Sequence, residues 1–196
     1  MNDASDVRAM LVDSATRLFA DHVDAKMLAA AKTEGWSATL WKIVEEAQLP
    51  LVSIAEEAGG AGGTLSDLAA VLRIAGRHCA PIPLAETAIA GWMLASSGLK
   101  IPAGPLTLAP VHGEKITARK SGANWRLAGA LTRVPYARVA NHIAILAAGP
   151  AGNVIARVGA VQCKITPGRN FAHEPRDGVM LDDIVIVRPT GSHRCC

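Results

Sequence analysis

The stretch from Ala55 to Leu84, AEEAGGAGGTLSDLAAVLRIAGRHCAPIPL, limits what this chain can fold into more than any other. Gly59, Gly60, Gly62 and Gly63 allow a sharp turn, because a residue without Cβ enters positive φ without a clash. Thr64 follows as a helix N-cap, and Asp67 three positions on supplies the acid of a capping box. Leu65, Leu68, Val71, Leu72 and Ala75 recur at helical spacing and form one apolar face. Gly76 and the Pro81-Ile82-Pro83 run stop that helix and set the start of the next.

The segments before this stretch also read as helices. Residues 5–23 form the first, with Ser5 as cap and Val7, Met10, Leu11, Leu18 and Phe19 as its stripe, while Asp13, Arg17, Asp21 and Asp24 face water. A polar joint over Lys32 to Gly35 leads to Ser37, which caps a helix lined by Leu40, Trp41, Val44 and Ala47 that stops before Pro50. Pro50 to Ile54 suits a strand or a buried extended segment equally. A further helix begins near Pro83 and runs through Ile89, Trp92, Met93 and Leu94 to Gly98.

Lys100 to Pro105, KIPAGP, reads as a linker, and beyond it the periodicity turns toward two. Leu106–Val111, Lys115–Arg119, Trp125–Ala128, His142–Ala147, Asn153–Val158, Ala160–Ile165 and Gly178–Val187 are the expected strands, with Gly159 marking a bulge. The fold class expected is α+β. An N-terminal all-α domain over residues 1–99 and the linker 100–105 precede a small antiparallel β-barrel over 106–188, and 189–196 form a tail.

Composition narrows the function classes. A net charge of +3, with Lys and Arg scattered and only four Trp, two Phe and one Tyr, excludes a nucleic-acid platform. No apolar run approaches the roughly 18 residues a membrane span requires. The polar, acidic start is unlike a signal peptide, so a cytoplasmic location is expected. The expected partner is a small molecule or another subunit.

Local motifs give no reaction. Gly60-Ala61-Gly62 matches the first two glycines of a dinucleotide fingerprint, but Leu65 stands at the third, so the cluster reads as a structural turn. The six histidines make no H-x-x-x-H pair and the four cysteines no C-x-x-C, so no metal is expected. Cys79 and Cys163 read as packed apolar groups, and Cys195-Cys196 as part of the tail. Glu45-Glu46 and Glu56-Glu57 are adjacent pairs whose side chains diverge, which suits a solvated face. No catalytic residue is assigned.

The order of features carries more. Glu56-Glu57-Ala58-Gly59-Gly60-Ala61-Gly62, the helix ending Gly76-Arg77, and Pro81-Ile82-Pro83-Leu84 resemble the acyl-CoA dehydrogenase family. So do Trp125-Arg126-Leu127-Ala128-Gly129, Val134-Pro135-Tyr136-Ala137 and Ala140-Asn141 before an apolar strand. The resemblance covers nearly the whole chain and implies a helical domain followed by the family's middle β-domain. It implies FAD as cofactor and an acyl-CoA substrate from fatty acid or steroid side-chain metabolism. A carboxylate would take the α-proton and the flavin the β-hydride, so that the protein supplies placement and polarisation. It implies Thr107, Leu108 and Val134 as cofactor-binding positions, and assembly into a homo- or hetero-oligomer of related subunits.

The chain departs from the family pattern at Ala58, where an aromatic is usual, and at Leu106 to Pro110, which lack the acidic Gly-Ser tail. It departs again at Arg133 and Pro135, which replace an aromatic and a hydroxyl residue. Family members also continue past the position of Val187 into a helical domain that carries the catalytic glutamate. The resemblance therefore implies either a flavoprotein cut before that domain or a non-catalytic partner subunit.

Overall fold

The computed structural model describes residues 4–109 and 115–187. Pro110 and Val111, the expected end of the first strand, and the tail with Cys195 and Cys196 lie outside them. The contacts divide the chain into two units, one ending at Ala88 and the other starting at Ile89.

The first unit is helical. α1 (Ala4–His22) begins one residue before Ser5, so that residue lies inside the helix and is not its cap. α2 (Ala25–Glu34) was not anticipated as a separate helix: Asp24 caps it through Met27 N–H at 2.7 Å, and Gly35 closes it at φ 87°. α3 (Ala38–Glu46) starts at Ser37, whose hydroxyl accepts from Leu40 N–H at 3.2 Å. Residues 49–51 then form a 3-10 turn, not a strand, which buries Leu49 and Pro50.

α4 (Leu65–Arg77) carries the expected capping box between Thr64 and Asp67. It runs parallel to α1. Arg8 Nε meets Asp67 Oδ1 at 2.6 Å near the starts of both helices, and Phe19 stacks on His78 at 6.2 Å near their ends. Ala15, Phe19, Leu40, Trp41, Val44, Val71 and Ile74 fill the core between them.

The glycine turn is a structural fold-back. Gly62 N–H donates to Ile54 O and Gly63 N–H to Val52 O, both at 2.8 Å, and Ala61 N–H to Leu51 O at 3.2 Å. These amides are spent on the backbone and cannot cradle a phosphate. The approach is so close that a Cβ on Gly60 would lie 2.1 Å from Ile54 O.

α5 (Leu84–Ser96) contributes to both units: Leu84 belongs to the helical core, and Ala90 and Leu94 pack with Leu106 and Ala144. The second unit continues as a seven-stranded sheet. Its strands are β1 (Leu106–Leu108), β2 (Thr117–Ser121), β3 (Asn124–Pro135), β4 (His142–Gly149), β5 (Gly152–Gly159), β6 (Lys164–Thr166) and β7 (Arg176–Val187). The ladder order is β1-β4-β2-β3-β7-β6, with β5 on the other edge of β4. Most pairs are antiparallel, as expected, but β1 and β2 meet β4 in parallel. That pairing joins segments far apart in sequence and leaves no local trace.

The sheet curls, so that Val154, Ala156 and Val158 of β5 share one core with Val179, Leu181 and Ile184 of β7. Gly159 ends β5 ahead of a 3-10 turn over residues 160–162 and makes no bulge. The bulges fall instead in the β3·β7 ladder, between Leu127 and Gly129 and between Leu131 and Val134.

Candidate functional site: the wall between the first and third strands

Thr107, Leu108 and Val134 all lie in the β unit, at the facing ends of β1 and β3. Alternation along β1 sends Leu106 and Leu108 to the face covered by Ala90 and Leu94. Thr107, completely buried, points the other way, and its hydroxyl donates to Pro135 O at 2.5 Å. Val134, also completely buried, packs inside the curled sheet with Leu131 and Ile143. Thr107 is thus brought to the Val134–Pro135 step, whereas Leu108 lies on the opposite face.

Beyond Val134 the backbone is tightly bent. Arg133 and Tyr136 adopt left-handed φ of 55° and 50° on either side of Pro135. Tyr136 O accepts from Val139 N–H at 3.1 Å and from Ala140 N–H at 3.0 Å, closing a turn into β4. A buried ion pair anchors this turn. Asp177, at 0% exposure, accepts from Arg138 Nε at 3.0 Å, from Arg138 Nη2, and from the backbone N–H groups of Arg138 and Gly168. Arg138 and Asp177 escaped the sequence reading because Arg138 lies in a turn, Asp177 at the start of β7, and nothing local relates them. Asn141 has a second fastening role: its N–H donates to Pro105 O at 2.7 Å and its amide to Ala103 O at 3.3 Å, tying the KIPAGP segment to β4.

Among the described residues the electrostatics offer no general acid or base at this wall. His142 starts β4 with a buried Nδ1 that has no partner. Burial, and then the nearby Arg157 charge, push its pKa below the usual value, so it stays neutral. Burial raises the Cys163 thiol to about 11, which suits an inert packed group. Among the described residues no cluster could hold a metal ion, and no helix is long and apolar enough to cross a membrane.

Comparison with known proteins agrees with this architecture. The sequence profile described as "Acyl-CoA dehydrogenase, N-terminal domain" matches residues 5–100. A solved structure of a variant of the Tcur3481-Tcur3483 steroid ACAD superposes with a TM-score of 0.80 at 28% identity, covering 93% of this chain and 56% of that one. Residues 5–100 belong to the acyl-CoA dehydrogenase family. The acyl-CoA dehydrogenase IpdE2 of Mycobacterium tuberculosis is 37% identical over 86 residues, 42% of this chain and 27% of the relative. Its counterpart from Mycolicibacterium smegmatis is 34% identical over 101 residues, 50% of this chain and 32% of the relative. The ChsE4-ChsE5 complex from Mycobacterium tuberculosis has the same fold, with a TM-score of 0.81 at 20% identity over 94% of this chain and 56% of that chain. The chain spans about half the length of these structures, and its matches span less than a third of the curated relatives.

Against the FAD that the acyl-CoA dehydrogenase family implies, the wall exposes neither Thr107 nor Val134, both fully buried, and only Leu108, on the other face, is partly open. It does not fit as a donor set, because the Thr107 hydroxyl is spent on Pro135 O and Pro135 has no N–H.

Proposed function

We propose that this chain is the wall-forming, non-catalytic member of a heteromeric acyl-CoA dehydrogenase that acts in the cytoplasm on a steroid side-chain or fatty acyl-CoA thioester. Flavin, when bound in the assembly, supplies the hydride acceptor for α,β-dehydrogenation. A second, longer acyl-CoA dehydrogenase-like polypeptide supplies the carboxylate that takes the α-proton. In this reading Thr107 and Val134, both fully buried, keep the strands behind the cofactor face rigid, and Leu108 is the partly exposed position of the three. Excluding water from that face strengthens the electrostatics on the opposite one.

The observation that carries the reading is the internal bond from Thr107 Oγ1 to Pro135 O, which removes the wall's own polar group from any ligand. Two of the similar structures bear names of two-component assemblies, which supports a partner. The test is co-expression with a longer homologous subunit. The expected result is co-purification, flavin absorbance and acyl-CoA oxidation in the mixture, with a colourless, inactive chain alone. A chain that purifies alone with flavin and turns over acyl-CoA is instead a self-sufficient flavoprotein. A chain that binds no such partner ends the proposal.

A further inference from the structure

We propose that the hairpin joining β6 to β7 is the docking edge for the longer subunit, with Phe171 at its tip as the anchor. The inference rests on the reading above, in which such a subunit supplies the catalytic carboxylate, and it names the surface that subunit binds.

Pairing between β6 and β7 runs on past Thr166. Arg176 N–H donates to Gly168 O at 3.1 Å and Arg169 bridges to Pro175, so the two strands extend as one ribbon to a tip over residues 170–174. The tip is closed on itself. Asn170 N–H donates to Glu174 O at 3.1 Å, Glu174 N–H to Asn170 Oδ1 at 3.0 Å, and Asn170 Nδ2 to Glu174 Oε2 at 2.7 Å. Arg176 Nη2 donates to the same carboxylate oxygen at 2.9 Å. At the base of the tip, Gly168 N–H donates to the buried Asp177 at 3.0 Å. Phe171 sits on this braced backbone fully exposed, whereas the chain's other phenylalanine, Phe19, is completely buried. An aromatic side chain held out on a rigid loop loses little freedom when a partner takes it up, and a few such anchors carry most of the energy of an interface.

Phe171 is not an isolated apolar residue. Val161, in the turn before β6, is almost fully exposed, and Met180, directly opposite Lys164 on β7, is half-exposed. The three mark the two ends and the flank of one strip, where single scattered apolar residues would need no explanation. β6 itself is the last strand of the ladder, but it is three residues long and Pro167 follows it. That is too short for a partner to add a strand, so recognition falls to side chains.

Charge chooses between occupants. From Val161 to Phe171 the chain carries Lys164 and Arg169 and no acid. Glu174 is spent on Arg176, and Asp182 lies beyond the last β6 pair. A second copy meeting this strip would set cations against cations, which is costly across an interface. The complementary surface is an apolar pocket with a carboxylate rim, carried by a different polypeptide.

The test measures binding of the full chain to the longer acyl-CoA dehydrogenase-like subunit of the co-expression experiment. Phe171→Ala should bind at least about thirtyfold more weakly, the loss expected of a central aromatic anchor. Its Tm should match wild type, because the side chain removed is fully exposed. Phe171→Tyr should keep most of the affinity. Lys164→Glu should slow association and weaken its dependence on salt. The control Leu65→Ala, exposed at the start of α4, should match wild type. The proposal is overturned if Leu65→Ala loses as much as Phe171→Ala. It is overturned too if the chain alone forms a dimer that Phe171→Ala dissolves, since the occupant is then a second copy. Equal capture of the longer subunit by wild type and Phe171→Ala ends this inference and leaves the partner-subunit reading standing. A wild type that captures no such subunit ends both.

Discussion

Replacing Asp177 with alanine should unlock the end of the wall. The carboxylate is completely buried and accepts backbone N–H bonds from Arg138 at 2.9 Å and Gly168 at 3.0 Å, besides the Arg138 guanidinium. Removing it orphans two amides, at about 1–3 kcal/mol each. It also leaves a guanidinium whose side chain is only 21% exposed without its counter-ion, with Gly168 O as its remaining partner. Breaking a buried pair from one side costs about 3–5 kcal/mol, and the loss here should fall in that range. Arg138→Ala leaves the carboxylate with its two amides but no counter-ion, in a site with no exposure at all. The double variant should lose less than the sum of the singles, because each single carries the cost of an abandoned partner.

Segment-resolved hydrogen exchange is the suitable assay, since the two units need not unfold together. The predicted loss corresponds to about a hundred- to a few-thousand-fold faster exchange in the amides of β7 and the end of β3. Amides of α1 and α4 should be unchanged. Asp177→Asn keeps the shape but turns an amide toward the guanidinium, and should lie between wild type and alanine. A loss for Asp177→Ala below about 1 kcal/mol, or strict additivity in the double variant, would refute the argument that this pair holds the turn.

Three further outcomes are expected. Bonds from the Thr64 hydroxyl, then Arg8 and the Thr64 N–H, lower Asp67 to about 2 from 3.8, so its contribution is complete above 3.8 and is lost as pH falls toward about 2. Thr64→Ala should cost about 1 kcal/mol and shorten that acid limb in far-UV circular dichroism of the helical unit. For His142, burial and Arg157 depress the folded pKa below 6.5, so the β unit should lose stability as pH drops from 6.5 toward that lower value. His142→Phe should flatten the fall in Tm, and an unchanged slope would count against a buried neutral imidazole. Gly60→Ala would force a Cβ to 2.1 Å from Ile54 O, whereas a Cβ on Gly76 meets nothing within 4 Å. The first should cost about 3 kcal/mol or more and the second gain about 0.5–1 kcal/mol, as read by urea midpoints.

Local chemistry made much of this fold legible. Ser37, and Thr64 with Asp67, announced their helices because a cap is written within four residues. α2 escaped because AKMLAAAKTE buries only Ala31 and so has no stripe, although Asp24 and Gly35 marked its ends. The segment after Leu49 misled because an apolar run with proline suits a strand or a buried turn alike. Most β strands were visible in the sequence, but the strand expected over Ala160–Ile165 opens with a 3-10 turn before β6, the run of β3 past Ala128 was not expected, and the strands' partners were not legible. The parallel contact of Leu106 with His142 spans the whole excursion through β2 and β3. The wall positions came from the order of family motifs. Their side-chain directions did not, since nothing in LTL or RVP says that Thr107 bonds to Pro135 or that Val134 faces the core.

That last bond also explains how a wall stripped of family-typical polar residues stays stable. Thr107 and Pro135 sit on strands that share no ladder, so the hydroxyl-to-carbonyl bond is a cross-tie between them. A threonine buried at 0% needs a partner, and an internal carbonyl satisfies it without any ligand. Proline at 135 leaves no N–H to satisfy at that step, so the strand end is self-sufficient. A wall of this kind holds its shape empty or filled, which suits a subunit that shapes a site more than one that reacts in it.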